Sequence, residues 1–189
     1  MALLPIRLYG DPVLRQRATE LSREEITDDF HAVIEDMAET MYGASGIGLA
    51  ANQVGITRRF FITDTDQVSG VSRRNGKRLK DETKRRLVVY INPEVIDSSA
   101  EDEPYNEGCL SIPEVEYDVY RPVSIKVRYR TLEWELREEW LEALPARVFQ
   151  HELDHLDGIL FVDRLAEEAR LGLAGRLNRM KKRPEPATP

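Results

Sequence analysis

The sequence predicts an α+β fold with mixed or antiparallel sheets packed around a central helix near residue 150, and with further helices towards the N- and C-termini. Three observations carry that reading. Apolar residues recur at helical spacing over roughly residues 23–42. Strict alternation of apolar and polar residues runs from Val123 to Tyr129. Strand-like runs follow one another through the middle of the chain without a regular strand–helix alternation, which argues against a doubly wound sheet.

Taken in order, Phe30, Ile34, Met37 and Met41 form one apolar stripe, with Thr27 and its acidic neighbours suited to the helix start and Gly43 to its stop. His31 lies beside the stripe with no partner at ligand spacing and reads as an ordinary boundary histidine. Residues 43–55, GASGIGLAANQVG, place four glycines in thirteen positions, which implies a sharply turning backbone or one closely approached by another group. Arg59–Asp64 and Leu87–Ile91 read as strands, the second ended by Asn92-Pro93. Between them, residues 65–86 are polar, charged and aperiodic, and read as an exposed excursion. Val123, Ile125, Val127 and Tyr129 form the buried face of a strand, and Leu132, Trp134 and Leu136 continue the alternation after a turn. Pro145 suits the first position of a helix and Gly158 its C-terminal stop. A last helix is expected over about 163–182, followed by a disordered proline-rich tail at 184–189.

The 189 residues suffice for a single domain with a real core, expected over residues 1–183. No apolar run approaches the roughly 20 residues that cross a bilayer, and the N-terminus lacks the pattern of a signal peptide, so a cytoplasmic location without membrane attachment is expected. A net charge of −7 gives no general attraction to nucleic acid, and no DNA partner is expected. Basic clusters occur locally, at Arg73, Arg74, Lys77, Arg78 and Lys80, and at Lys181, Lys182 and Arg183. One cysteine, Cys109, excludes an intramolecular disulfide.

The chemistry concentrates in His151-Glu152-Leu153-Asp154-His155, an H-E-x-x-H pattern. Residues four apart on a helix share a face, so both imidazoles can reach one divalent ion while Glu152 reaches a water beside it. The third ligand is open on spacing alone. Glu167 or Glu168 would suit a zinc peptidase that cuts internal bonds, whereas Cys109, in Glu107-Gly108-Cys109-Leu110-Ser111, would supply a soft thiolate fit for zinc or ferrous iron. Two histidines and one cysteine leave a coordination position free for water, as a catalytic rather than a structural site requires.

Three segments together resemble the peptide deformylase family. They are Gly46-Ile47-Gly48-Leu49-Ala50-Ala51-Asn52-Gln53, Glu107-Gly108-Cys109-Leu110-Ser111 and Gln150-His151-Glu152-Leu153-Asp154-His155, in the family's order and over about residues 3–165. The resemblance implies removal of the formyl group from the N-terminal methionine of nascent polypeptides. It implies Cys109, His151 and His155 as ligands of one divalent metal ion, natively Fe(2+), with Zn(2+), Ni(2+) or Co(2+) able to substitute. It implies Glu152 as the group that handles protons, and the Gln53 amide with the backbone N–H of Leu110 as holders of the formyl oxygen. Gly46, Gly48 and Gly108 would let the backbone run beside an extended peptide. Ile47, Leu110 and Val148 are candidate walls for the methionine side chain, with ordinary core packing as the alternative. An ion pair between Glu107 and Arg121 is expected on the same resemblance. Contact of the C-terminal helix with the ribosome is left open, since a basic helix end is more often simply solvated.

Overall fold

In the computed structural model, the described residues are 2–65 and 86–182, together with the backbone of two short strands at 73–74 and 77–78. Most of the charged excursion at 65–86 and the proline-rich tail therefore fall outside them.

The expected first helix forms as α1, Asp28–Gly43. The Thr27 hydroxyl accepts from the Phe30 N–H at 3.3 Å, and Asp28 and Asp29 occupy the first turn, where carboxylates complement the helix dipole. Residues 23–25 are a separate 3-10 turn, so the helix begins five residues later than the apolar stripe alone suggests. The stripe itself is the buried face: Ile34, Met37 and Met41 are all under 5% exposed.

Strands β1 (Gly48–Ala50), β2 (Phe60–Thr63), β3 (Arg73–Arg74), β4 (Lys77–Arg78), β5 (Val88–Ser98), β6 (Asp102–Cys109), β7 (Ile112–Pro122), β8 (Ser124–Arg130) and β9 (Leu136–Glu142) follow in chain order. A seven-stranded sheet has the order β1-β2-β5-β8-β9-β3-β4, and β6 and β7 pair separately as a hairpin. All of these pairings are antiparallel. The large sheet is buried on both faces near β2. Phe60, Ile62 and Ile91 join the α1 stripe on one side, while Phe61, Tyr90, Val127 and Tyr129 pack with Phe149 and Ala146 on the other.

Phe149 and Ala146 belong to α2, Ala143–Leu156, which carries residues 151–155. Pro145 occupies its third position rather than its first, where its missing N–H still costs nothing. Gly158 ends the helix at φ 74°, its N–H bonded to His155 O and the Ile159 N–H to Asp154 O, the paired bonds of a Schellman motif. After a 3-10 turn, Phe161–Arg164, the last helix α3 spans Glu167–Lys181.

Two expectations about strands also need correction, and one hairpin was not expected at all. Asn92-Pro93 does not end its strand. Asn92 adopts φ 49°, the register shifts between Ile91 and Glu94, and β5 continues past this bulge to Ser98. Trp134 lies in the turn before β9 at φ 65°, not on the strand. The β6–β7 hairpin had no counterpart in the predicted elements. Its buried positions, Glu107, Ile112, Val115, Val119 and Arg121, keep no period of two, because only part of one face meets the rest of the protein.

Residues 7–18 cross the surface as a strap. Arg7 N–H bonds Gln53 O at 2.7 Å, Tyr9 N–H bonds Ser111 O at 2.8 Å, and Ala18 N–H bonds Leu156 O at 2.7 Å. Among the described residues no helix is long and apolar enough to cross a membrane.

Candidate metal centre and substrate cleft

The three sequence motifs converge. Helical spacing puts His151 and His155 one turn apart on α2, and their ring centroids are 5.0 Å from each other. The end of β6 brings Cys109 to them, with its Sγ 3.3 Å from His155 Nε2. One ligand atom from each of the three residues lies within 4.8 Å of the others, and this is the sole such group among the described residues. Glu167 and Glu168, the alternative third ligands, are exposed in the first turn of α3 and belong to no such group.

A buried ionic chain fixes the surroundings. Glu107 Oε2 lies 3.0 Å from His151 Nδ1. The same carboxylate accepts two bonds from Arg121, at 2.7 and 2.9 Å, so the expected ion pair is present as a bidentate fork. Arg121 Nη1 donates to Asp154 Oδ2 at 2.6 Å, and Arg164 Nε donates to the same oxygen at 2.5 Å. Burial would raise the Glu107 carboxyl, but its bonds to His151 and Arg121 outweigh that and hold it at about 2.

The two imidazoles diverge. Burial and the neighbouring positive charges press His155 well below its ordinary value. Burial also acts to lower His151, but its contacts with Cys109 and Glu107 prevail and hold it well above. Two nitrogens and a sulfur in close array fit a divalent cation.

Glu152 is 4% exposed, and burial pushes its carboxyl up to about 7. Its Oε2 has no hydrogen-bond partner among the described residues, and its Oε1 sits where a side chain on Gly48 would begin. Gly48 is therefore needed for close approach: a Cβ there would also lie 2.9 Å from Val148 Cγ1. At Gly46 a Cβ would come within 2.9 Å of Leu110 Cδ1.

Gln53 lies on the 3-10 turn Ala51–Val54. Its Oε1 accepts from Ala50 N–H at 2.8 Å, which turns its Nε2 towards Ser111 Oγ at 3.2 Å and Cys109 Sγ at 3.6 Å. A cavity of about 450 Å³ opens on this cluster. Every site residue singled out from the sequence lines it except His155, which lies beneath: Gly46, Ile47, Gly48, Gln53, Gly108, Cys109, Leu110, Val148, His151 and Glu152. Sequence reasoning assigned no part to Ser111, Asp154 or Arg164, nor to Arg147, which lines the cavity with its Nη1 3.6 Å from Glu107 Oε1. Ser111 and Asp154 stood inside the quoted motifs, whereas the two arginines left no trace.

The polypeptide deformylase family model matches residues 3–171. The chain belongs to the peptide deformylase family. The peptide deformylase of Thermotoga neapolitana is 44% identical over 172 residues, covering 91% of this chain and 93% of that one. A plant peptide deformylase crystal structure superposes with a TM-score of 0.82 at 31% identity, covering 95% of this chain and 89% of that one. A class I type b peptide deformylase from Acinetobacter baumannii, solved with Met-Ala-Ser bound, gives a TM-score of 0.73 at 36% identity, covering 87% and 99%. As a deformylase the chain is a hydrolase, of a family that removes N-formyl groups from nascent proteins and depends on a metal.

Proposed function

We propose that this deformylase hydrolyses the formyl–nitrogen bond of N-terminal formylmethionine with one divalent ion held by Cys109, His151 and His155. The observation that carries the reading is the convergence of those three donors beside a buried carboxylate oxygen of Glu152 that has no partner among the described residues. The ion, when bound, supplies the Lewis acidity that makes water a nucleophile at neutral pH. Glu152 takes a proton from the attacking water, and its elevated pKa suits it to return that proton to the leaving amine. Water oxygen bonds to the formyl carbon, the carbon–nitrogen bond breaks, and formate and a free amino terminus result. The Gln53 amide and the Leu110 N–H take up the negative charge that grows on the formyl oxygen.

The cavity walls support the specificity. Ile47, Leu110 and Val148 offer an apolar recess for methionine, and Gly46, Gly48 and Gly108 leave room for an extended backbone. The Acinetobacter relative was solved with Met-Ala-Ser, a peptide that begins with methionine. Ferrous iron is the native ion in this reading, with zinc, nickel or cobalt as substitutes, and the thiolate ligand predicts that the iron form loses activity in air. The enzyme works in the cytoplasm on polypeptides leaving the ribosome.

The test pairs metal content with turnover. Wild type should release formate from formyl-Met peptides and leave unformylated peptides intact, and Cys109→Ala should lose both metal and activity. Cleavage of internal peptide bonds, or a Cys109→Ala protein with full metal content, would refute the proposal.

A further inference from the structure

The 3-10 turn that follows α2 grips His151 by two independent routes. Phe161, 1% exposed, lays its ring against the His151 ring at 6.2 Å between centroids and 26° between planes. Three residues on, Arg164 closes a two-bond clamp on Asp154, with Nε at 2.5 Å from Oδ2 and Nη2 on Oδ1. From Asp154 the chain of contacts runs through Arg121 and Glu107 to His151 Nδ1.

The charges along this chain alternate. Glu107 and Asp154 are the carboxylates, Arg121 stands between them, and Arg164 completes the set at the protein surface, its side chain 42% exposed. Arg121 has only one guanidinium to divide: Nε and Nη2 serve Glu107, and Nη1 serves Asp154. With Arg164 present, Asp154 is neutralised from outside, and Arg121 can keep its full fork on Glu107. Without Arg164, a carboxylate 9% exposed would hold its charge against one shared guanidinium. It would draw Arg121 towards itself and loosen the fork that orients Glu107. Glu107 in turn holds the Nδ1 edge of His151, and that contact orients the ring and leaves Nε2 as its ligand atom.

We infer that Arg164 is a positioning residue of this deformylase: from the surface it sets, through Asp154, Arg121 and Glu107, the orientation of His151 as a metal ligand. The inference rests on the assignment of His151 as a ligand. It makes no claim that Arg164 touches substrate.

The experiment compares wild type, Arg164→Ala, Arg164→Lys and Cys109→Ala, loaded with cobalt(II) as the probe ion. Three readouts are taken: the cobalt dissociation constant, the visible absorption of the bound ion, and kcat and KM separately on a formyl-Met peptide. Arg164→Ala should weaken cobalt binding about 10-fold or more, the scale typical of partners that orient metal-binding histidines. It should also shift the cobalt spectrum and lower kcat with KM within about twofold, and Arg164→Lys should restore part of each. Should Arg164→Ala fail to fold, Arg164→Gln, shorter than arginine but keeping part of the stem and a donor without the charge, takes its place under the same expectations. A folded variant with cobalt affinity, spectrum and kcat like wild type overturns the inference, even if its melting temperature falls, because a merely structural role predicts that result. Cys109→Ala separates the two readings: if it retains tight cobalt binding, the ligand assignment itself fails.

Discussion

The Cβ that Gly48 lacks would stand in the space of the Glu152 carboxylate. The contact joins β1 to α2, two elements that meet only in the folded protein, and Glu152 has no room to retreat at 4% exposure. Gly48→Ala should therefore displace the proton-handling group while costing the fold about 1–3 kcal/mol, as overpacking does. We expect kcat/KM on formyl-Met peptides to drop at least about 100-fold in a protein that still melts cooperatively. Activity near wild type would show that Glu152 tolerates the shift or has no part in the reaction.

Glu152→Gln keeps the shape of the side chain and removes its basicity. The variant should bind metal as well as wild type and lose about 10²–10⁴-fold in turnover, the range that general acid–base catalysis supplies. Metal analysis beside a formate-release assay decides it, and a fully active variant excludes Glu152 as the base.

The Glu107 carboxyl gives the metal-free protein a characteristic acid response. Its folded pKa of about 2 lies below the ordinary 4.5, so the protein gains stability from its ionised form above pH 4.5 and loses it as pH falls towards 2. The full difference is about 3 kcal/mol. Denaturant titrations of the metal-free protein between pH 7 and pH 2 should show that loss. Glu107→Gln should be less stable at pH 7, because Arg121 then keeps only one of its two carboxylates, Asp154, but flatter with pH. Equal slopes for the two proteins would assign the acid sensitivity to other groups.

Phe149 anchors α2 two residues before His151. Its ring meets Phe61 at 5.1 Å and Tyr90 at 5.0 Å, edge to face in both contacts, and is fully buried. Phe149→Ala should cost about 3–5 kcal/mol and lower the melting temperature by several degrees or more. A loss under about 1 kcal/mol in denaturant titration would mean that the neighbouring rings refill the space.

What the sequence disclosed follows from how local each signal is. H-E-x-x-H is complete within five residues, and the stripe Phe30–Met41 and the alternation Val123–Tyr129 report their buried faces directly. Cys109 could be tied to the histidines only through the resemblance, since nothing in its spacing says that β6 ends beside α2. The β6–β7 hairpin stayed hidden because it exposes most of both faces, Tyr105, Tyr117 and Tyr120 among them. The buried chain from Glu107 to Arg164 was legible only in its first pair. Arginines are common on surfaces, and only the folded backbone reveals that Arg121 is 3% exposed between two carboxylates.

The strap at residues 7–18 carries no recognisable motif, yet its peptide groups tie down Gln53, Ser111 and the end of the histidine-bearing helix. Those ties are made by main-chain atoms, which every amino acid except proline can provide. Buried Tyr9, Leu14 and Ala18 seat the strap, while the hydrogen bonds themselves call for no particular side chain. Its further sensitivity lies in length and register: deleting one residue between Arg7 and Ala18 would put these ties out of step with one another, a cost that replacing an exposed side chain such as Arg17 does not carry.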